Sequence, residues 1–138
     1  MKILFVIATI SEIQKEKFTF GDVLITGVGM LNTAIVLTKK LSEEKYDLVI
    51  NLGIAGSFKE SIKIGDVVEV FEEKISEIGY EDKNEFAEFA DFSLKTVFRN
   101  NSHTDLKQVK SITVNTVHGN EKSIKNIVRR LNPDIENM

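Results

Sequence analysis

The 138-residue sequence contains no cysteine and no tryptophan, and it has a single proline and two histidines. The lack of cysteine excludes disulfide bonds, thiolate catalysis and every cysteine-based metal site. Positive charge is not in excess either, since the formal net charge is −3 and lysines alternate with acidic residues. Tight nucleic-acid binding depends on a basic surface that neutralises phosphates. We therefore expect small-molecule chemistry without a metal ion, another cofactor or a nucleic-acid partner.

Long hydrophobic runs are also missing. The apolar run of residues 3–8 is followed by Ser11 and Glu12 and has no small-residue cleavage pattern of a signal peptide. No run approaches the ~20 residues that a membrane-spanning helix requires. We expect a cytoplasmic protein without a membrane partner, folded as a single domain over residues 1–138.

The first half of the chain has the pattern of a β-α-β unit. A strand is predicted over residues 2–8, because residues 3–8 are continuously apolar, which is typical of a central strand covered on both faces. Strands are also predicted at 22–26 and 48–52, and each runs into a glycine turn. Between them, the apolar residues of 30–40 have helical spacing. These elements predict an α/β fold built on a mixed, largely parallel sheet.

The second half continues the alternation less regularly. Residues 67–71 and 112–117 are rich in β-branched side chains and are predicted to be strands. The acidic stretch 72–91 is predicted to form a long excursion followed by a short helix. A second helix is expected at 121–131, ended by Asn132 and Pro133. Residues 133–138 begin a strand and stop inside it, so we expect the C-terminal part of the fold to be missing.

Ligands in open α/β sheets bind beyond the carboxyl ends of the strands. Four turns are expected to meet there, at 9–12, 27–32, 53–57 and 116–120. A dinucleotide site is not favoured, because its third glycine is replaced by Asn32. The remaining alternative to a ligand site is that these glycines only tighten strand-to-helix turns.

Three segments carry a resemblance to a known family. Residues 26–34 (TGVGMLNTA), 51–57 (NLGIAGS) and 64–68 (IGDVV) resemble, in order and spacing, the signatures of the nucleoside phosphorylase and methylthioadenosine nucleosidase superfamily. Residues 114–123 and 76–82 are most similar to its futalosine hydrolase branch, whose members release hypoxanthine from futalosine in menaquinone biosynthesis. The resemblance implies a three-layer fold, a purine nucleoside substrate and a homo-oligomer.

The resemblance also implies roles for particular residues. Cleavage of an N-glycosidic bond needs a base that positions water, groups that hold the ribose and an acid for the departing base. Glu12 matches the water-activating glutamate, although a solvated loop glutamate is the alternative. His118 is either a substrate contact or a loop histidine, and no carboxylate partner for it is evident. The implied substrate-binding residues are Val28, Gly29, Ala55, Gly56, Thr116, Val117 and Met138.

Water is expected to be the nucleophile. Phosphorylases of the superfamily hold phosphate with a glycine-rich first turn and arginines, whereas residues 8–11 contain no glycine. The arginines are limited to Arg99, Arg129 and Arg130, of which the last two are predicted on a surface helix. Met138 aligns with the methionine of the family's Met-Glu motif. The ribose-binding glutamate would follow it, so we expect this chain to be a weak catalyst.

Two further questions stay open in the sequence. A predicted aromatic cluster of Phe86, Phe89, Phe92 and Phe98 either covers the ligand pocket, packs against another subunit or belongs to the core. The substrate has a rival as well, because a methylthioadenosine or adenosylhomocysteine nucleosidase would share the mechanism. A non-catalytic nucleoside-binding domain is the alternative from a different functional class.

Overall fold

The computed structural model describes residues 1–83, 85–89, 94–101 and 103–138. The chain forms two compact units, residues 1–54 with Met138 (unit 1) and residues 55–137 (unit 2). The elements in chain order are β1 (Ile3–Ile7), β2 (Asp22–Ile25), α1 (Met30–Glu43), β3 (Leu48–Leu52), β4 (Gly56–Ser57), β5 (Val68–Ile75), β6 (Tyr80–Asp82), β7 (Glu85–Ala87), β8 (Val97–Arg99), β9 (Lys107–Thr113), α2 (Glu121–Leu131) and β10 (Ile135–Asn137).

Unit 1 is built on a three-stranded parallel sheet in the order β2-β1-β3. The central strand β1 is buried from Leu4 to Ile7, as its continuous apolar run predicts. Parallel strands present their carboxyl ends at one edge of a sheet. The turns that follow β1, β2 and β3 therefore begin at the same edge, which confirms that part of the predicted arrangement.

Helix α1 follows β2 through a glycine turn. Its N-cap, Gly29, has φ +96° and ψ 155°, a backbone conformation that L side chains rarely adopt. The helix runs three residues beyond the predicted end at Lys40. Just after it, Glu44 bonds to Lys2 and Lys40, and these hydrogen bonds lower the pKa of Glu44 to about 2. The lysines thereby tie the end of α1 to the start of β1.

Unit 2 contains a five-stranded mixed sheet in the order β4-β10-β9-β5-β8. Strand β9 pairs in parallel with β5 and with β10, and the edge strands β4 and β8 pair antiparallel. Helix α2 covers this sheet through Ile127, which packs with Ile112 and Val114 in the core. The mixed α/β fold expected from the sequence is thus confirmed, whereas the expectation of a single domain stays a prediction.

Two sequence predictions in unit 2 were wrong. Strand β5 continues to Ile75, and the predicted excursion instead contains the antiparallel β6–β7 hairpin. The described part of 72–91 has no helix, and Asn84, Ala90 and Asp91 lie outside the described residues. The predicted strand 112–117 begins earlier and ends at Thr113, because the pairing with β5 starts at Lys107.

The end of unit 2 agrees with the sequence. Helix α2 has the predicted bounds, and its N-cap Asn120 accepts a hydrogen bond from the Ser123 N–H at 3.0 Å. Asn132 adopts the left-handed conformation after the helix, and Pro133 cannot continue it. The predicted final strand is β10. Among the described residues, no helix is long and apolar enough to cross a membrane.

Candidate active site

Glu12 lies just beyond β1, at the carboxyl edge of the unit 1 sheet. A short 3-10 turn over Ile10–Glu12 brings its side chain back toward Thr9. The Thr9 N–H and hydroxyl both donate to Glu12 Oε1, at 2.9 Å and 2.7 Å. Oε2 accepts no hydrogen bond from the part of the chain that the structure describes. One oxygen is therefore fixed while the other is available to bind a proton.

Gly53, the first residue after β3, lies directly beside this carboxylate. A Cβ built on Gly53 would lie 2.8 Å from Glu12 Oε2, which is closer than real Cβ contacts. Only glycine leaves room for the carboxylate in its observed position. Both residues were predicted from the sequence to lie at the sheet edge, but their direct approach was not.

Val28 and Gly29 form the turn that follows β2 at the same edge. Val28 is exposed, and its carbonyl accepts a hydrogen bond from Asn32 Nδ2 at 2.7 Å. A Cβ on Gly29 would meet nothing within 4 Å. The space beside the main chain of Gly29 is therefore empty of protein atoms, as a ligand-binding role requires. That role stays a prediction.

Ala55 and Gly56 lie at the start of unit 2, where both are exposed. Gly56 pairs with Glu136 across β4 and β10. A Cβ on Gly56 would lie 3.5 Å from Glu136 Cγ, an ordinary van der Waals distance. The contact therefore leaves space for a small side chain at Gly56, and the predicted substrate contacts of both residues are untested.

Thr116 and Val117 are exposed in the loop between β9 and α2, and they lead to His118. The expectation that His118 has no carboxylate partner is wrong. Its Nδ1 lies 2.6 Å from Glu136 Oε2, and its backbone N–H donates to Glu136 Oε1 at 2.9 Å. The Glu136 side chain is buried, and Phe58 packs edge-on against the imidazole. His118 is thus a fixed, half-buried side chain.

The three arginines differ in environment. Arg99 pairs with Glu72 across β8 and β5, and Arg129 is exposed on α2. The prediction that Arg130 lies on a solvated face is wrong, since it is half-buried and its Nη2 donates to the Ser76 carbonyl at 2.9 Å. Its guanidinium lies over the Phe86 ring, 4.2 Å from the centroid.

The other members of the predicted aromatic cluster have separate contacts. Phe89 lies against Tyr80, and Lys95 lies over the Phe98 ring. Phe92 lies outside the described residues.

A polar cluster within the unit 2 sheet was not predicted. Glu73 on β5 accepts hydrogen bonds from Thr113 Oγ1 at 2.8 Å and from Asn137 Nδ2 at 3.1 Å. Burial raises the pKa of Glu73, and the hydrogen bonds from Thr113, Ser111 and Asn137 oppose that rise. These residues are far apart in sequence and become neighbours only through strand pairing, so no local pattern could have revealed them.

The predicted site residues fall into two sets. Glu12, Val28, Gly29 and Met138 belong to unit 1, and Met138 is exposed. Ala55, Gly56, Thr116 and Val117 belong to unit 2. Within the described residues, no cluster of three or more histidine or acidic side chains could hold a metal ion.

Curated relatives match short parts of the chain. The 5'-methylthioadenosine/S-adenosylhomocysteine nucleosidase of Exiguobacterium is 48% identical over 46 residues, which are 33% of this chain and 20% of that protein. The protein of the same name from Bacillus subtilis is 46% identical over 59 residues, 38% of this chain and 26% of that protein. The matches thus span about a fifth to a quarter of these relatives.

Solved structures resemble the chain over nearly its full length. Futalosine hydrolase of Helicobacter pylori matches with a TM-score of 0.84 and 14% identity, over 99% of this chain and 74% of that one. A nucleosidase from Colwellia psychrerythraea, solved with adenine, matches with a TM-score of 0.79 and 19% identity, over 100% and 72%. At these identities the likeness shows the fold. The family model described as the phosphorylase superfamily matches residues 9–138, and the chain therefore belongs to that superfamily.

Proposed function

We propose that this chain belongs to a nucleosidase that cleaves the N-glycosidic bond of a purine nucleoside with water, and that futalosine is its substrate. The observation that carries the proposal is the position of the Glu12 carboxylate. Its Oε1 accepts two hydrogen bonds from Thr9, and its Oε2 lies beside Gly53. A carboxylate fixed in this way can accept a proton without reorganising. The curated relatives and the similar solved structures, which are named as nucleosidases or futalosine hydrolase, support the same reaction class.

In the proposed reaction, Oε2 of Glu12 accepts a proton from water as the water oxygen attacks the anomeric carbon. The bond from that carbon to the purine nitrogen breaks, and its electron pair leaves with the base, which takes up a proton from solvent. The products are free ribosyl species and hypoxanthine. We propose that backbone groups approach the ribose and the attacking water. These groups belong to Val28 and Gly29 and to Ala55 and Gly56.

Thr116 and Val117 are proposed to lie against the purine, and Met138 against the ribose. These side chains are exposed and therefore open to a ligand. We further propose a homo-oligomer, as the family resemblance implies. Water is proposed as the nucleophile because the turn that contains Glu12 has no glycine, so added phosphate should neither accelerate base release nor yield ribose 1-phosphate.

A second candidate substrate is 5'-methylthioadenosine or S-adenosylhomocysteine. The specific observation in its favour is the name shared by the curated relatives, which are 43–48% identical over the matched segments. The mechanism would be the same, and the difference would lie in contacts to the edge of the purine, where hydrogen-bond donors and acceptors differ.

The test is to incubate the protein with futalosine, 5'-methylthioadenosine and S-adenosylhomocysteine separately and to follow the released base by chromatography. Hypoxanthine release from futalosine, at a higher kcat/KM than adenine release from the other two, is the expected result. Glu12→Gln should lower kcat by roughly 10²-fold or more, because a general base typically contributes 10²–10⁴. Glu16→Gln is the matched control, since Glu16 is exposed in the next 3-10 turn.

Three outcomes would count against the proposal. Preferred cleavage of 5'-methylthioadenosine would replace futalosine as the substrate. Unchanged turnover in Glu12→Gln would remove Glu12 from the mechanism. Absence of base release from all three nucleosides, with nucleoside binding detected by calorimetry, would favour a non-catalytic binding domain.

A further inference from the structure

A cleft of about 720 Å³ lies within unit 2 between the β6–β7 hairpin and α2. Phe86 contributes to the hairpin wall, and His118 lies in the loop before the helix. Ile127, Arg129 and Arg130 contribute to the helix wall. Glu12 and the other residues proposed to act at the glycosidic bond do not line this cleft, whereas His118, which directly follows Thr116 and Val117, does.

Arg130 makes two contacts at the wall of this cleft. Its Nη2 donates to the Ser76 carbonyl at 2.9 Å, and its guanidinium stacks on the Phe86 ring. Gly79 sets the position of that ring, because a Cβ on Gly79 would lie 2.4 Å from Phe86 Cζ and 2.3 Å from the Ala87 carbonyl oxygen. Backbone and ring together therefore fix the plane of the guanidinium.

The other end of the same guanidinium lacks a partner. Nη1 of Arg130 is buried and has no hydrogen-bond partner in the described part of the chain. Burial lowers the pKa of Arg130, while the charges of Glu88 and Glu77 oppose that shift. A buried N–H of a charged group that lacks an acceptor is costly, and native proteins rarely leave one without a ligand or water oxygen.

Two nearby carboxylates are engaged elsewhere, while Glu81 and Glu85 line the cleft beside the cations Lys83 and Arg129. Glu88 pairs with Lys74 at 2.6 Å, and Glu77 accepts hydrogen bonds from Asn115. No ion pair joins Arg130 to an acidic side chain among the described residues. Among the described residues, nothing therefore supplies an acceptor for Nη1.

We propose that this cleft binds a small oxyanion, a carboxylate or a phosphate, through the guanidinium of Arg130. A planar guanidinium matches two oxygens of such a group. Most of the cleft lining is polar, and Phe86 and Ile127 are its apolar residues. Because Nη1 is covered by protein atoms, binding includes a small rotation of the guanidinium toward the cleft. The proposal does not depend on the nucleosidase reaction.

The test is an NMR titration of the full chain with propionate, with its neutral isostere propionamide, and with inorganic phosphate, at constant ionic strength. Saturable shifts of the Arg130 Nε–H and of the Phe86 and Ile127 amides are expected with propionate but not with propionamide. Arg130→Gln should weaken propionate binding roughly tenfold or more, as loss of a charge-assisted hydrogen bond predicts. Lys125→Gln should bind as the wild type does, because this exposed lysine of α2 does not line the cleft.

Phosphate binding without propionate binding would assign the site to phosphate within the same proposal. Equal binding of propionamide, unchanged affinity in a folded Arg130→Gln, or absence of saturable shifts with either anion would overturn it. If Arg130→Gln does not fold, Arg130→Lys keeps the charge but loses the planar fork. The role of Arg130 would also be refuted if Arg130→Lys bound with wild-type affinity and the Arg130 Nε–H of the wild-type protein did not shift on titration.

Discussion

Substitution of Gly29 by alanine isolates the backbone strain of the turn between β2 and α1. The φ of +96° and ψ of 155° belong to a region that is essentially restricted to glycine, and another residue there costs of order 1–3 kcal/mol. Steric overlap adds nothing, because a Cβ on Gly29 would meet no atom within 4 Å. Gly29→Ala should therefore lower the free energy of unfolding by about 1–3 kcal/mol.

The assay is thermal unfolding followed by circular dichroism, combined with hydrogen exchange of the amides of 22–43. For a chain of this size, 1 kcal/mol corresponds to roughly 3–5 °C in Tm, so a decrease of about 3–15 °C is expected. Exchange should accelerate in α1, whose first turn Gly29 begins.

Gly119→Ala is the matched control for this substitution. A Cβ on Gly119 also meets no atom within 4 Å, but its φ is not positive. Its Tm should change little or rise slightly, since alanine restricts the unfolded chain. Equal Tm values for Gly29→Ala and Gly119→Ala would refute the strain argument.

Three further predictions concern unit 2. Because the folded state raises the pKa of Glu73 above the ordinary 4.5, stability should fall as pH rises through the window above 4.5. Melting between about pH 4 and 8 should show a flatter profile in Glu73→Gln, and parallel profiles would contradict the assignment. Gly56→Ala should be tolerated, whereas Gly56→Val should crowd the buried Glu136 and lower the free energy of unfolding by about 1–3 kcal/mol, measured with denaturant. Equal losses of stability in the two variants would show that this contact is unimportant. Asn120→Ala should lower the free energy of unfolding by about 0.5–2 kcal/mol, because the hydrogen bond that caps α2 at Ser123 is lost. Asn120→Ser should retain most of the wild-type stability, and equal stability of all three proteins would show that the cap contributes nothing.

The elements predicted correctly from sequence are those with a clear local pattern. Strand β1 has a continuous apolar run, and α2 combines helical apolar spacing with Asn120 before it and Pro133 after it. Such local signals determine where these elements begin and end, so the sequence alone suffices.

The errors occur where tertiary partners compensate for an unfavourable local pattern. Residues 72–74 of β5 are charged and do not resemble a buried strand, but Glu72 pairs with Arg99, Glu73 bonds to Thr113 and Lys74 pairs with Glu88. Each partner comes from a distant segment. Strand β5 could therefore not be extended to Ile75 from local sequence.

The candidate site shows the same division. The turns at the sheet edge and the position of Glu12 were predictable from glycines and strand ends. The pairing of His118 with Glu136, and the approach of Gly53 to Glu12, depend on the exact strand register. A one-residue shift in the register of β10 would turn Glu136 to the opposite face of the sheet, so its contact with His118 could be found only in the structure.

The position of β10 has a consequence for the order in which the chain folds during synthesis. This strand lies between β4 and β9, so residues 135–137 join a sheet whose other described strands begin at Gly56. The three-stranded sheet of unit 1 needs no residue beyond Leu52. Since chains emerge from the ribosome N-terminus first, at about 5–20 residues per second, the unit 1 sheet can form while β9 is paired only with β5 and still lacks β10. Until β10 is made, the β4 and β9 edges of unit 2 stay open to mispairing with other chains.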